Sequence, residues 1–225
     1  MKKNILCLAL VSLFALVGCK KAEEKPEDKK EEEKTVTAAE FFEKVDAISL
    51  VEYNTCVGTF NGTVKTTTNR SVLDKTQEDT TNTQNYENQK LVFNYYSDDK
   101  AWFPDEEGYD NLAQSGVTPN NVKVNKDDGF FRIAPETVEF TYYLEPFKLK
   151  MLGDYDQGEL EPTGVRSRIA STIKAHLDIT HIYNEEGYLV EGISKSKYEI
   201  YVGEAVYSVI EYDLTVSYAS FQQGA

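Results

Sequence analysis

The 225-residue chain has few of the residues that most often carry catalysis and metal binding. It contains two histidines, three cysteines and one tryptophan. It has no Gly-x-Ser-x-Gly segment, no phosphate-binding glycine loop and no His-Glu-x-x-His segment. Because no nucleophile and base can be paired from the sequence, we predict that the protein is not an enzyme and uses no cofactor.

The two histidines do not indicate a metal site. His176 and His181 lie five positions apart in a segment that alternates like a strand, so their side chains should point to opposite faces. His176 shares a face with Asp178, but two ligands do not make a site, and we expect solvent around them. His181 falls in the apolar register, and we expect it to be buried near a strand end.

The acidic segments also lack the pattern of a helix-loop-helix calcium site. In residues 127–129 the place of the leading aspartate is taken by Val124, and in residues 154–158 the glycine comes one position early. We interpret both segments as solvated acidic turns. A surface calcium site of another type stays open, and we predict no metal ligand.

Positive charge is scarce as well. The chain has 24 Lys and Arg against 38 Asp and Glu, which gives a formal net charge of -14 at pH 7. This balance disfavours nucleic acid and anionic lipid surfaces as partners of the folded body. It fits a solvated envelope protein, or one that meets cations or neutral glycans.

The N-terminal residues have the pattern of a secretory signal. Lys2 and Lys3 precede an apolar run over residues 5–16, which is shorter than the ~20 residues of a transmembrane helix. The run ends in Leu16-Val17-Gly18-Cys19, which resembles the lipobox of bacterial lipoproteins.

The resemblance implies cleavage before Cys19 and attachment of diacylglycerol to its thiol, often with a further acyl chain such as palmitate on the new amine. We therefore expect residues 1–18 to be a signal peptide and the mature protein to be anchored at the extracytoplasmic face of the cell membrane. In a host with two membranes, Lys20 resembles the residue that permits sorting to the outer membrane. Removing Lys2 and Lys3 changes the formal charge from -14 to -16.

Residues 19–34 should form the lipidated cysteine and a disordered tether. The segment is almost wholly Lys, Glu, Asp and Ala, so it has no apolar face to bury. Fully extended, it spans ~50 Å. Cys7 leaves with the signal and Cys19 is lipidated, so Cys56 has no partner for an intramolecular disulfide, and we expect it to be a small buried apolar residue.

Residues 35–225 should form a single domain that begins with a helix. Thr37 and Glu40 fit a capping box, and Phe41, Val45 and Ile48 recur at helical spacing. We predict a helix over about residues 38–48 that lays this stripe on the domain. Asn61-Gly62 fits either a hairpin turn or a bulge within one long strand.

The remainder is typical of strands and loops. Alternation and β-branched or aromatic composition predict strands near residues 53–66, 90–96, 136–151, 173–183, 188–201 and 206–218. The last three should form an antiparallel meander. We predict loops over residues 67–85, 98–129 and 153–162.

These elements predict a mostly β domain: an antiparallel meander sheet, with a curved half-barrel as one arrangement, an N-terminal amphipathic helix and long acidic loops. This order resembles LolA/LppX-type half-barrel lipoproteins, which implies binding of an apolar or acylated ligand in a concave sheet. The residues that would line such a cavity are Phe41, Val45, Phe140, Tyr142, Leu177, Ile179, Tyr212 and Leu214.

Two functions remain open at this stage. One is a non-catalytic envelope lipoprotein that carries an apolar ligand or binds an envelope protein. The other is a surface interaction protein or adhesin that recognises glycan or protein through aromatic and acidic loops. If the helix and sheet meet tightly, the eight residues above are simply core.

Overall fold

The computed structural model describes residues 33–96, 101–104, 123–124, 126, 137–160 and 171–223. These residues are mostly strand, with one α-helix and one short 3-10 helix. The strands form one antiparallel sheet, which confirms the prediction of a mostly β fold with an N-terminal helix. Of the helices in the described ranges, none is long and apolar enough to span a membrane.

Helix α1 (Ala38–Ala47) begins at the predicted capping box. The Thr37 hydroxyl accepts a hydrogen bond from the Glu40 N–H at 3.2 Å, and the Glu40 carboxylate accepts one from the Thr37 N–H at 2.7 Å. The Phe41 side chain is fully buried, and its ring centroid lies 4.7 Å from that of Phe147 and 5.2 Å from that of Tyr142. The apolar stripe of the helix therefore packs on the sheet, as predicted.

Ten strands occur in the described residues. In chain order they are β1 (Thr35–Val36), β2 (Thr55–Thr68), β3 (Thr80–Tyr96), β4 (Ala101–Pro104), β5 (Val138–Leu144), β6 (Phe147–Leu160), β7 (Ser171–Tyr183), β8 (Leu189–Ser194), β9 (Lys197–Val202) and β10 (Ala205–Gln222). Neighbours in the sheet follow the order β1-β5-β6-β7-β8-β10-β2-β3-β4, and β9 pairs with β7 and β10.

The predicted return strand after β7 is divided in two. Strands β8 and β9 lie end to end in one position between β7 and β10. At the break, the Lys195 N–H donates to the Asp178 carbonyl and the Tyr212 N–H donates to the Ser196 carbonyl, both at 2.8 Å. The buried Ser196 hydroxyl also accepts from the Asp178 N–H at 3.2 Å. These bonds keep the meander continuous across the break.

The Asn61-Gly62 pair is a bulge inside β2 and not a hairpin turn. The register between β2 and β3 shifts between Phe60 and Gly62. Gly62 has φ +119°, and a Cβ placed there would lie 2.2 Å from the Asp213 carbonyl oxygen. The position therefore requires glycine both for its backbone conformation and for the close approach of β10.

Two segments that we predicted as loops contain strand. Strand β3 begins at Thr80, inside predicted loop 67–85, and β6 continues through Gly153 to Leu160, inside predicted loop 153–162. The long neighbouring strands supply the backbone partners, with Thr68 opposite Thr80. Thr, Asn and Asp fit the exposed face of a strand, so their polarity alone misled the prediction.

The core lies on one face of the sheet, and helix α1 covers one end of that face. Alternate residues of the long strands meet there, and the fully buried side chains include Phe60, Phe93, Leu149, Met151, Ile179 and Leu214. Cys56 is fully buried among them, as predicted, and desolvation raises the pKa of its thiol to about 12. The thiol is therefore neutral and inert.

The predicted tether and insert are only partly within the described residues. Glu33, at the end of the tether segment, forms an ion pair with Lys148 at 2.5 Å. Lys123 forms an isolated bridge with Tyr188, and Trp102 lies in β4. Cys19, the signal and residues 127–129 lie outside the described ranges.

Candidate binding cleft on the exposed face of the sheet

The register of β6, β7 and β9 brings six ionisable side chains together on the exposed face. Asp154 lies opposite His176, which lies opposite Lys197. One row further along, Asp156 lies opposite Lys174, which lies opposite Glu199. Directly opposed residues in an antiparallel sheet share a face, so the two rows form a compact charged patch.

This patch borders a cleft of about 440 Å³. We call it the charged cleft. Its lining residues are Thr137, Asp154, Tyr155, Asp156, Lys174, Ala175, His176, Lys197 and Glu199. The volume is within the range of small-molecule sites, although the lining is more polar than is usual for them.

Acidic and basic groups in the cleft are paired with each other. His176 Nδ1 lies 2.9 Å from Asp154 Oδ1, and Lys174 Nζ lies 3.1 Å from Asp156 Oδ2. Lys174 Nζ also lies 5.7 Å from the centre of the Tyr201 ring. Acidic groups of β6 therefore lie opposite basic groups of β7 in the cleft.

Glu199 accepts hydrogen bonds from two side chains. Lys197 Nζ donates to one of its carboxylate oxygens, and the Tyr201 hydroxyl donates to the other at 2.8 Å. Both hydrogen bonds lower the pKa of Glu199, and the one from Lys197 has the larger effect. The bond with Glu199 in turn raises the pKa of Lys197, so both groups stay charged around neutral pH.

The side chains of the charged cleft are suited to binding polar groups. Carboxylates, ammonium groups and an imidazole can bind hydroxyl groups or charges of either sign. Within the part of the chain that the structure describes, no three His, Cys, Asp or Glu side chains are grouped to hold a metal ion. Asp178 lies on the same face of β7 as His176, as predicted, and forms an ion pair with Lys150 of β6 at 3.6 Å.

The two histidines point to opposite faces of β7, as predicted. The His176 side chain is 54% exposed, whereas His181 is only 6% exposed as a residue. His181 Nδ1 lies 3.2 Å from the Tyr183 hydroxyl, and its Nε2 has no hydrogen-bond partner among the described residues. Desolvation lowers the pKa of His181 to about 4, so it is buried in the neutral form.

The eight predicted lining residues fall into two groups, all of them in or against the core. Phe41, Val45, Phe140 and Tyr142 lie where helix α1 meets β5, and Phe41 is the one of these four that is fully buried. The other four are buried along the middle of the sheet. They are Leu177, Ile179, Tyr212 and Leu214.

Residue-level reasoning did not find the charged cleft. Asp154 and Asp156 lie in the predicted loop 153–162, and Lys197 and Glu199 lie in the predicted strand 188–201. A local signal was present, because charged and apolar residues alternate in both Lys197-Tyr198-Glu199-Ile200 and the segment around Tyr155. No local pattern indicates which residues of β6, β7 and β9 lie opposite one another, because that depends on pairing between separate segments of the chain.

No family model matches the chain, and no curated protein or solved structure matches it.

Proposed function

We propose that this protein is a lipid-anchored, extracytoplasmic binding protein without catalytic activity, and that the charged cleft contacts a polar partner. The observation that supports this proposal most directly is the grouping of three acidic and three basic side chains around one exposed cleft. The partner class is a glycan or a polar protein segment. The distribution of charge in the cleft matches a neutral or zwitterionic group better than a strongly anionic one.

The ion pairs of the cleft can exchange partners at low cost. Pairs between exposed side chains typically contribute ~0–1 kcal/mol to stability, because water solvates both groups when they separate. A hydroxyl or charged group of a ligand can therefore replace one member of the Asp154–His176 or Asp156–Lys174 pair without unfolding the sheet. The long strands hold the backbone positions of all four residues while this happens.

The anchor places the cleft outside the cytoplasm. The Leu16-Val17-Gly18-Cys19 segment is the basis for lipid attachment, and the charged tether gives the domain a reach of ~50 Å from the membrane surface when extended. In a host with an outer membrane, we place the protein there because of Lys20. A binding domain on a tether of this length reaches soluble molecules and neighbouring envelope components.

Carriage of an apolar guest, the other function considered above, receives less support. It needs space between the helix and the sheet, but Phe41 contacts the rings of Phe147, Tyr142 and Tyr183, with centroids 4.7 to 6.5 Å apart. Leu177, a proposed wall residue, is buried within the core cluster. We therefore assign these side chains to the core.

A binding experiment with cleft variants tests the proposal. Full-length protein, held on liposomes by its own anchor, is probed with a glycan array and with zwitterionic, acidic and basic peptides. We expect a polar probe to bind, and the Asp154→Asn/His176→Gln double variant to weaken that binding at least tenfold. Asp213→Asn is the matched control. Asp213 lies outside the cleft and forms an exposed ion pair with Lys195, with 3.8 Å between the charged atoms. This variant should bind the probe within twofold of the wild type.

Two results would speak against the cleft as the binding site. One is equal binding by the double variant and the wild type. The other is a fatty acid or phospholipid found with the purified protein by native mass spectrometry, together with no binding of polar probes. The second result would favour the apolar-guest hypothesis.

A further inference from the structure

Within the described part of the chain, strand β3 is paired along one side only for most of its length. It pairs with β2 from Thr80 to Asn94, whereas its other side pairs with β4 only from Phe93 to Tyr96. Among the described residues, no strand pairs with that side over residues 80–85. On such an edge, every second residue points its backbone N–H and C=O outward.

Within this edge, residues 80–85 form a straight segment that we call the open edge. Its sequence is Thr-Thr-Asn-Thr-Gln-Asn, and five of its six side chains are exposed. It ends before a bulge, where Asn88 has φ +52° and its N–H donates to the Asn61 side chain at 2.8 Å. At ~3.3 Å per residue, the open edge is ~20 Å long.

The open edge lacks the features that normally prevent strand addition. Natural edge strands are usually very short, or carry lysine, proline or a bulge. The outer strands of this sheet obey that rule, since β1 has two residues and β4 has four. The open edge has no lysine, no proline and no charged side chain.

We propose that the open edge docks an extended, basic segment of a partner protein, which adds a strand beside β3. This site lies on a different strand from the charged cleft and does not depend on it. A protein segment is the matching ligand because an extended backbone repeats its donors and acceptors at the same spacing as the edge.

Charge favours a basic segment over a second copy of this chain. The open edge is preceded by Glu78 and Asp79 and followed by Glu87. The Ser71 N–H donates to Asp79 Oδ1 at 2.9 Å, and this hydrogen bond lowers the pKa of Asp79 and keeps it charged. The whole chain has a formal charge of -14, so two copies repel each other whereas a Lys- or Arg-bearing segment is attracted.

Synthetic peptides test this proposal on the full-length protein in detergent micelles. The probe is a nine-residue peptide that alternates Lys with Thr and Val, and binding is measured by fluorescence anisotropy in low and moderate salt. We expect saturable binding with one peptide per protein. A peptide of the same sequence with every backbone amide N-methylated should bind at least tenfold more weakly, because it keeps its charge but loses the backbone donors on both edges of its strand.

A pair of protein variants locates the site. Thr83→Lys/Asn85→Lys places lysines on the open edge and should weaken binding at least tenfold. Thr63→Lys adds a lysine directly opposite Asn85 but one strand inward, and it should leave binding within threefold.

Three results would overturn the proposal. Equal binding of the N-methylated peptide would mean that charge alone attracts it. Absence of peptide binding to the wild type would mean that the edge does not accept a basic segment. A wild-type dimer in analytical ultracentrifugation that Thr83→Lys/Asn85→Lys converts to a monomer would mean that the occupant is a second copy.

Discussion

The buried histidine of β7 makes the stability of the domain depend on pH in a defined window. His181 is neutral in the folded protein because burial lowers its pKa from 6.5 to about 4. In the unfolded chain the same imidazole is solvated and takes up a proton near pH 6.5. Between these two values the unfolded state binds more protons than the folded state.

The direction of the effect follows from this difference. The contribution of neutral His181 to stability is fully present above pH 6.5 and is lost as the pH falls toward 4. Below pH 4 it causes no further loss, because His181 is then protonated in both the folded and the unfolded state. A tenfold difference in proton affinity is worth ~1.4 kcal/mol, so the gap from 6.5 to about 4 corresponds to a loss of about 3 kcal/mol between pH 7 and pH 4. This is a large fraction of the stability of an ordinary domain.

Urea denaturation at intervals of half a pH unit from 7 to 4 measures the effect. Carboxylates titrate over part of this range, so the informative quantity is the difference between the wild type and His181→Leu. Between pH 7 and pH 4, the free energy of unfolding of the variant should fall by about 3 kcal/mol less than that of the wild type. Ile179→Val, a neighbouring buried substitution, should cost about 1 kcal/mol at every pH and keep the wild-type slope. Parallel pH profiles for the wild type and His181→Leu would refute the reasoning.

Four further predictions rest on separate features. Leu177→Ala should lower the free energy of unfolding by ~2–5 kcal/mol in urea denaturation if the residue is core, whereas a negligible loss would indicate a cavity wall. Gly62→Ala should lower the free energy of unfolding by at least ~2 kcal/mol in urea denaturation, because Gly62 has φ +119° and the β10 backbone blocks the space for a Cβ. The loss should be clearly larger than that for Gly203→Ala, where no atom lies within 4 Å of the added carbon. Cys19→Ala should abolish metabolic labelling with a fatty acid, and labelling that persists would show that the lipid is attached elsewhere. Deleting residues 20–34, which we predict to be a solvated tether, removes one ion pair to the domain, so thermal unfolding should show a loss of stability below ~1 kcal/mol. A larger loss would mean that the segment packs on the sheet.

Local patterns in the sequence predicted the elements whose causes are local. The capping box of α1 depends on two residues three positions apart, and both of its hydrogen bonds are present. The alternation in β7 predicted which of its two histidines is buried, because side chains of a strand alternate between faces whatever the strand pairs with. The turn between β7 and β8 also has a local cause, since Gly187 has φ +82°, which glycine adopts most readily.

Tertiary structure decided the features that depend on partners distant in the chain. The polar residues at the start of β3 and the end of β6 became strand because long neighbours offered backbone partners, which composition does not record. Gly62 became a bulge and not a turn because β10 and β3 both pair with β2 around it. The charged cleft exists only because the register of three strands places Asp154 beside His176 and His176 beside Lys197. A strand's own sequence sets which face each side chain occupies, but only pairing with other strands sets which side chains meet.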